Sequence, residues 1–172
     1  HPSPMLARRD KDAIGKHCDH LLVVDHDAMP KLSGKQPVVG TYRLLRHEAA
    51  MQNGGFYTDS EFDLSGMIER HAGLRFLELG RSCVLPRYRN KRTVELLWQG
   101  IWSYVRQNKF DVMIGCASFE GTDPDRLALP LSFLHHNARA PEAWRARAHP
   151  SRYVEMNRMA KDAIDTKAAL RA

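Results

Sequence analysis

Three charged side chains stand in otherwise apolar runs. Glu78 and Arg81 lie three residues apart in the stretch Leu74 to Val84, and Arg43 sits among Val38, Val39, Leu44 and Leu45. A lone carboxylate on an apolar strand, short of water, suits a general base acting directly or through a water. The same group can equally close a salt bridge to Arg81, Arg43 or Arg75, and the sequence leaves both readings open. An arginine buried in mid-strand needs an acidic partner or an anionic ligand. For Arg43 and Arg81 the partner would be Glu78, and the ligand a carboxylate. Further on, Arg87, Arg89, Lys91 and Arg92 crowd into six residues with Asn90 among them, just before Thr93. Between a strand and a helix N-terminus, such a run makes an anion site, because free backbone N–H groups and the helix dipole point at a phosphate.

The elements that must hold these groups can be read from periodicity. In Leu74 to Val84, Phe76, Glu78, Gly80, Ser82 and Val84 alternate with Leu77, Leu79, Arg81 and Cys83, as in a strand that Pro86 ends. From Thr93, a candidate cap, Val94, Leu97, Trp98, Ile101, Trp102 and Val105 recur at helical spacing to Gln107, with Trp98 and Trp102 read as core. Before this centre come a charged surface segment (Met5 to Lys16), a strand (His20 to Asp25), a turn (Ala28 to Gln36), a second strand (Val38 to Leu45) and a loose connection (Arg46 to Gly55). An acidic, aromatic loop (Phe56 to Asp63) and a short helix (Leu64 to Ala72) follow. After the centre come a strand from Phe110 to Ser118 and a helix from Asp125 to His136, with Leu127, Leu131 and Leu134 inward. A short helix (Pro141 to Ala148), a strand (Arg152 to Met156) and a basic helix (Ala160 to Leu170) complete the chain. This alternation predicts an α/β fold with a mixed sheet.

The bulk numbers bound the function. A chain of 172 residues is most simply one domain. Its net charge of +6 favours an anionic partner, although a solvated basic surface fits the same figure. The three cysteines, Cys18, Cys83 and Cys116, show no C-x-x-C spacing and read as buried free thiols in a reducing compartment. Cys83 and Cys116 are poor nucleophile candidates, and adjacent His135 and His136 face different ways, so no metal-ligand set is read. Asp59, Glu61 and Asp63 offer carboxylates to a cationic side chain, or form a solvated acidic loop. No nucleic acid is expected, since the basic turn has only Tyr88 as an aromatic and no recognised motif surrounds it.

Val84, Pro86 and Arg89 match the acyl-donor motif of the GNAT acyltransferases, Val-x-Pro-x-x-Arg/Gln-x-x-Gly-x-Gly/Ala, which the stretch resembles. Arg92 and Val94 stand at its two glycine positions, a departure that argues against ordinary acyl-CoA use. Glu78-x-x-Arg81 and Gly40-Thr-Tyr-Arg-Leu-Leu45 resemble the branch that takes acyl groups from acyl carrier protein, which includes the acyl-homoserine-lactone synthases. Cys18 to Val24, Val39 to Leu45, Phe56 to Asp63, Ser118 to Pro124, Leu131 to His136 and Val154 to Met156 look like the ornithine-acyl-ACP N-acyltransferases, often labelled hemolysin-like, which make lyso-ornithine lipid. The resemblance covers nearly the whole chain.

The resemblance implies a GNAT fold whose central strands splay apart to admit a thioester arm. It implies a single acyltransferase domain over residues 1–172, expected to lack the first strand and helix of the family. The reaction implied is transfer of a (3-hydroxy)acyl chain from acyl carrier protein to the α-amine of ornithine, with an acyl-homoserine-lactone or other N-acyl amino acid synthase as the alternative. Glu78 would then be the base or orient the amine, and backbone N–H groups at Val84 and Leu85 would meet the thioester oxyanion. Arg87, Arg89, Asn90, Lys91, Arg92 and Thr93 would hold the donor's phosphate and carrier protein; Arg43, Arg81 and Asp59 would hold the acceptor. The co-substrate would be acyl-ACP, with no bound cofactor. The expected location is cytoplasmic, or peripheral at the inner face of an anionic membrane.

Overall fold

The computed structural model describes residues 12–28 and 34–171. The charged segment up to residue 11 and the tip of the expected turn, residues 29–33, lie outside them. In chain order the elements are β1 (Asp19–Val24), β2 (Val38–Arg46), α1 (His47–Gln52), β3 (Phe62–Asp63), α2 (Ser65–Arg70) and β4 (Phe76–Val84). They continue with α3 (Lys91–Asn108), β5 (Val112–Ile114), α4 (Ala128–Asn137), β6 (Arg147–Ala148) and α5 (Thr166–Ala169). The chain forms two compact units, His1–Thr58 with Gly73–Cys116, and Asp59–Ala72 with Ala117–Ala172. No helix among the described residues is long and apolar enough to cross a membrane.

The first unit is built on a four-stranded sheet in the order β1-β2-β4-β5. Neighbours are antiparallel except β4 and β5, which run parallel, so the sheet is mixed. One face carries the apolar alternation of β2 and β4. Leu44 and Leu77 pack there with Ile101, Val105 and Phe110 to form the core, edged by Leu21, Tyr42, Leu79 and Tyr104. Each such side chain, fully buried, contributes roughly 1.5–3 kcal/mol before entropy. On α3 the buried stripe is Thr93, Leu97, Ile101 and Val105, at i, i+4 spacing. Trp98 and Trp102, expected in the core, are instead 48% and 57% exposed. The apolar arc of the helix is wider than the strip the sheet covers, so its outer flank faces solvent.

Strand β4 does not keep its alternation. Gly80 pairs with Arg43 and Cys83 with Thr41, so Arg81 and Ser82 both lie opposite Tyr42. This is a β-bulge, and Arg81 adopts φ +51°, the left-handed conformation that non-glycine residues seldom take. The extra residue exchanges the faces beyond it. Cys83, expected opposite Glu78, joins the side of Glu78 and Arg43, while Val84 pairs with Gly40 on the side of α3. Cys83 is also exposed, whereas Cys18 and Cys116 are half-buried, so the expected burial of all three thiols does not hold.

Strands β4 and β5 part early. Their pairing runs only from Phe76/Val112 to Glu78/Ile114, which shortens the expected strand of residues 110–118. At the fork, a Cβ on Gly115 would lie 2.5 Å from the carbonyl oxygen of Leu79. That oxygen is backbone and cannot swing aside. Gly115→Ala should therefore push the strands apart and destabilise the unit by roughly 1–3 kcal/mol, read in denaturant unfolding. An alanine variant as stable as the parent would show that the fork tolerates a side chain.

Other expectations shift as well. The loose connection after β2 holds helix α1, whose Ala50 is fully buried. The cap of α3 is Asn90, whose Oδ1 accepts from the Thr93 N–H at 3.0 Å; Thr93 is the capped residue.

In the second unit, β3 and β6 form a two-residue antiparallel pair, where a loop and a helix were expected. The stretch from Pro141 supplies only a 3-10 turn, Glu142–Trp144, before β6. Within α4, Pro130 and Ser132 face inward, and Leu134 is 36% exposed. Buried Ser132 donates to the Met156 carbonyl and accepts from the N–H groups of Arg158 and Met159, at 3.1, 3.1 and 2.9 Å. These bonds pin residues 156–159, so the expected strand there is irregular. The basic C-terminal helix reduces to the 3-10 turn Lys161–Ala163 and α5, capped by Asp165.

Candidate active site

On the face of the first unit's sheet opposite α3, the charged groups converge. A cavity of about 240 Å³ is lined by Arg43, Tyr57, Glu78, Arg81 and Cys116 with the strand at residues 79–80. Glu78 reaches it from β4 and is 4% exposed. Its Oε1 accepts from the Thr58 N–H at 2.7 Å and the Thr58 hydroxyl at 2.5 Å; its Oε2 accepts from the Tyr57 N–H at 2.8 Å. Two of these donors fill Oε1, while Oε2 keeps lone-pair capacity for a further donor. Cys116 stands beside this group, with Sγ 3.5 Å from the Thr58 hydroxyl.

Arg43, 6% exposed, comes from β2, and its guanidinium lies 5.6 Å over the Tyr57 ring. It does not turn to Glu78 for its carboxylate. Its Nη1 bonds to Asp12, and Nη2 of Arg81 lies 3.3 Å from the same Asp12 oxygen. Arg75 in turn pairs with Glu48 at 2.6 Å. The sequence reading missed Asp12, because the segment around it is charged and without period. It also missed Thr58 and Tyr57. Desolvation pushes the Asp12 carboxyl upward. The Arg43 and Gly15 hydrogen bonds and the charges of Arg43 and Arg81 outweigh it, leaving the carboxyl below its ordinary range. The stabilisation from this pairing is thus present above the usual carboxylate range and fades as pH falls through it.

The turn expected to take the donor lies between β4 and α3. The Leu85 N–H donates to the Val39 carbonyl at 2.9 Å, so it is held in the ladder with β2. Antiparallel alternation then turns the Val84 N–H away from β2, toward the side where β5 has departed. Of the two N–H groups expected to meet an oxyanion, that of Leu85 is therefore taken by Val39. Tyr88 anchors the turn by donating to Asp25 at 2.6 Å, a bond that holds the Asp25 carboxyl below its ordinary range. Arg89 donates to the Val84 carbonyl at 3.0 Å. Arg87 lies over the Tyr88 ring, and Lys91 is 3.6 Å from Glu95. Arg87, Lys91 and Arg92 are exposed, and Thr93 is buried.

Asp59 belongs to the second unit, where its carbonyl lies 2.8 Å from Nε2 of His149. It is not among the residues lining the cavity.

A mixed sheet forked beside a basic strand-to-helix turn, with charged groups grouped on the face opposite the long helix, is the architecture of an acyl-transfer domain. A family model described as an acetyltransferase (GNAT) domain matches residues 1–99, more than half of the chain, which therefore belongs to the GNAT family. The chain is 54% identical over 168 residues to the L-ornithine N(alpha)-acyltransferase of Agrobacterium fabrum, covering 98% of this chain and 57% of that protein. The proteins of the same name from Rhizobium meliloti and Brucella abortus are 51% and 54% identical, over 99% and 96% of this chain and 57% and 58% of their own lengths. The chain thus spans little more than half the length of these relatives. No solved structure matches it.

Proposed function

We propose that the protein is an N-acyltransferase that moves a (3-hydroxy)acyl chain from acyl carrier protein to the α-amine of ornithine, giving lyso-ornithine lipid. The names of the relatives support the acceptor. The observation that carries the reading is the charge arrangement around the cavity. Asp12 lies against the guanidiniums of both Arg43 and Arg81, and these cations share one cavity wall with the Glu78 carboxylate. Guanidiniums beside a carboxylate on one wall present partners to both the carboxylate and the ammonium of an α-amino acid.

The chemistry follows from these groups. Arg43 and Arg81 bind the acceptor carboxylate, since a guanidinium fork matches it. Glu78 accepts a proton from the α-ammonium through Oε2, directly or through a water. The free amine attacks the thioester carbonyl, and the Val84 N–H meets the oxyanion that forms. Collapse expels the phosphopantetheine thiolate, which takes up the second proton lost by the attacking nitrogen, while Glu78 passes the first to solvent. Arg87, Lys91 and Arg92, with the N–H groups opening α3, hold the donor's phosphate and its carrier protein. The protein acts in the cytoplasm, against the inner face of an anionic membrane that receives its product.

Arg43→Lys tests the acceptor side. A lysine keeps the charge but loses the fork, so the ornithine KM should rise roughly tenfold while the acyl-ACP KM changes little. A larger rise in the donor KM would assign Arg43 to the donor instead.

A further inference from the structure

Three apolar side chains line the outer flank of α3 at positions i, i+4 and i+8. Val94, Trp98 and Trp102 are 47%, 48% and 57% exposed and form one stripe along the helix. Helical rise makes the stripe about 12 Å long. They stand directly beside the buried row Leu97, Ile101 and Val105. Cations border the stripe at both ends, Lys91 and Arg92 before it and Arg106 and Lys109 after it. The one acid of the helix, Glu95, lies 3.6 Å from Lys91 and is answered by it.

We infer that this flank of α3 is a membrane-contact face, which lays Trp98 and Trp102 into the headgroup boundary of an anionic bilayer. Indole favours that boundary, where its ring is shielded and its N–H stays wet. Lysine and arginine at the margins draw the helix to anionic lipid, each through a long apolar stem. An apolar stripe bordered by cations suits a soft, negatively charged surface better than a protein partner, whose interface centre is poor in charge. The proposal rests on the functional reading only in expecting a membrane beside the enzyme, and vesicle binding needs no turnover to be measured.

The test uses the full-length protein with vesicles of phosphatidylcholine alone, and with roughly one third phosphatidylglycerol added. The protein should sediment with the anionic vesicles and release from them as salt rises. Its tryptophan emission should shift to the blue and be quenched by brominated acyl chains. The double variant Trp98→Ser, Trp102→Ser should bind these vesicles roughly tenfold or more weakly, with its circular dichroism and its acyl transfer in vesicle-free solution unchanged. Trp144 remains in that variant as a reference. Absence of vesicle binding by the parent, or equal binding by the double variant, would overturn the proposal. A parent dimer that dissociates in the double variant would overturn it too, by giving the stripe to a second copy of the chain. Loss of vesicle binding with acyl transfer intact separates this face from the active site; a parent that binds vesicles but shows no acyl transfer counts against the functional reading alone.

Discussion

Glu78→Gln is expected to fold and to turn over roughly a hundredfold or more slowly than the parent, the usual worth of a positioned acid or base. The carboxylate has two duties. It accepts the N–H groups of Tyr57 and Thr58 and the Thr58 hydroxyl, and its Oε2 keeps capacity toward the cavity. Glutamine can replace one oxygen only. Its amide nitrogen would face one of these donors, which costs about 1–3 kcal/mol of stability without unfolding the sheet. Thr58→Val separates the duties, because it removes the hydroxyl and leaves the carboxylate and both backbone donors in place. The Thr58 variant should lose activity only a few-fold, where the Gln variant loses roughly a hundredfold or more. A folded Gln variant with near-normal turnover at neutral pH would remove Glu78 from the chemistry and leave it the anchor of residues 57 and 58.

Reversing two charges of the basic turn should have the next largest effect. Arg87→Glu with Lys91→Glu is expected to lower kcat/KM for acyl-ACP by roughly ten- to a hundredfold, change use of the matched acyl-CoA far less, and flatten the dependence on salt. The two sites differ in what they hold. Lys91 is highly exposed beside Glu95, and Arg87 faces solvent over Tyr88, so neither builds the fold. The parent should likewise prefer acyl-ACP. Arg92 and Val94 occupy positions where glycine lets a backbone close on a diphosphate, and phosphopantetheine brings a single phosphate there. Equal kcat/KM for the two donors, or a reversed variant unimpaired toward acyl-ACP, would point to an ordinary CoA-dependent transferase.

The legible features were those that residues announce locally. The apolar runs of β1, β2 and β4 and the helical period of α3 placed the main sheet and its long helix. Arg43, Glu78 and Arg81 stood out because charge inside an apolar strand calls for a partner, and all three line one cavity. What escaped depends on pairing across the chain. The bulge at Arg81 exists only against Tyr42 of β2, and it moved Cys83 to the face of Glu78. Asp12 lies 31 residues from Arg43 and 69 from Arg81, in a segment with no pattern to mark it. Leu85 lost its expected role because β2 reaches one residue further and takes its N–H. The stretch 152–156 read as a strand from its own residues, yet Ser132 holds the chain just beyond it in an irregular path.

The most direct measurement presents the full-length protein with a 3-hydroxyacyl-ACP and an equimolar panel of ornithine, lysine, homoserine, glycine and putrescine, with products read by mass spectrometry. The expected product is ornithine acylated on its α-amine, with putrescine, which has no carboxylate for Arg43 and Arg81, left unmodified. Acylation of putrescine as readily as ornithine, or of another amino acid in preference to it, would contradict the assignment.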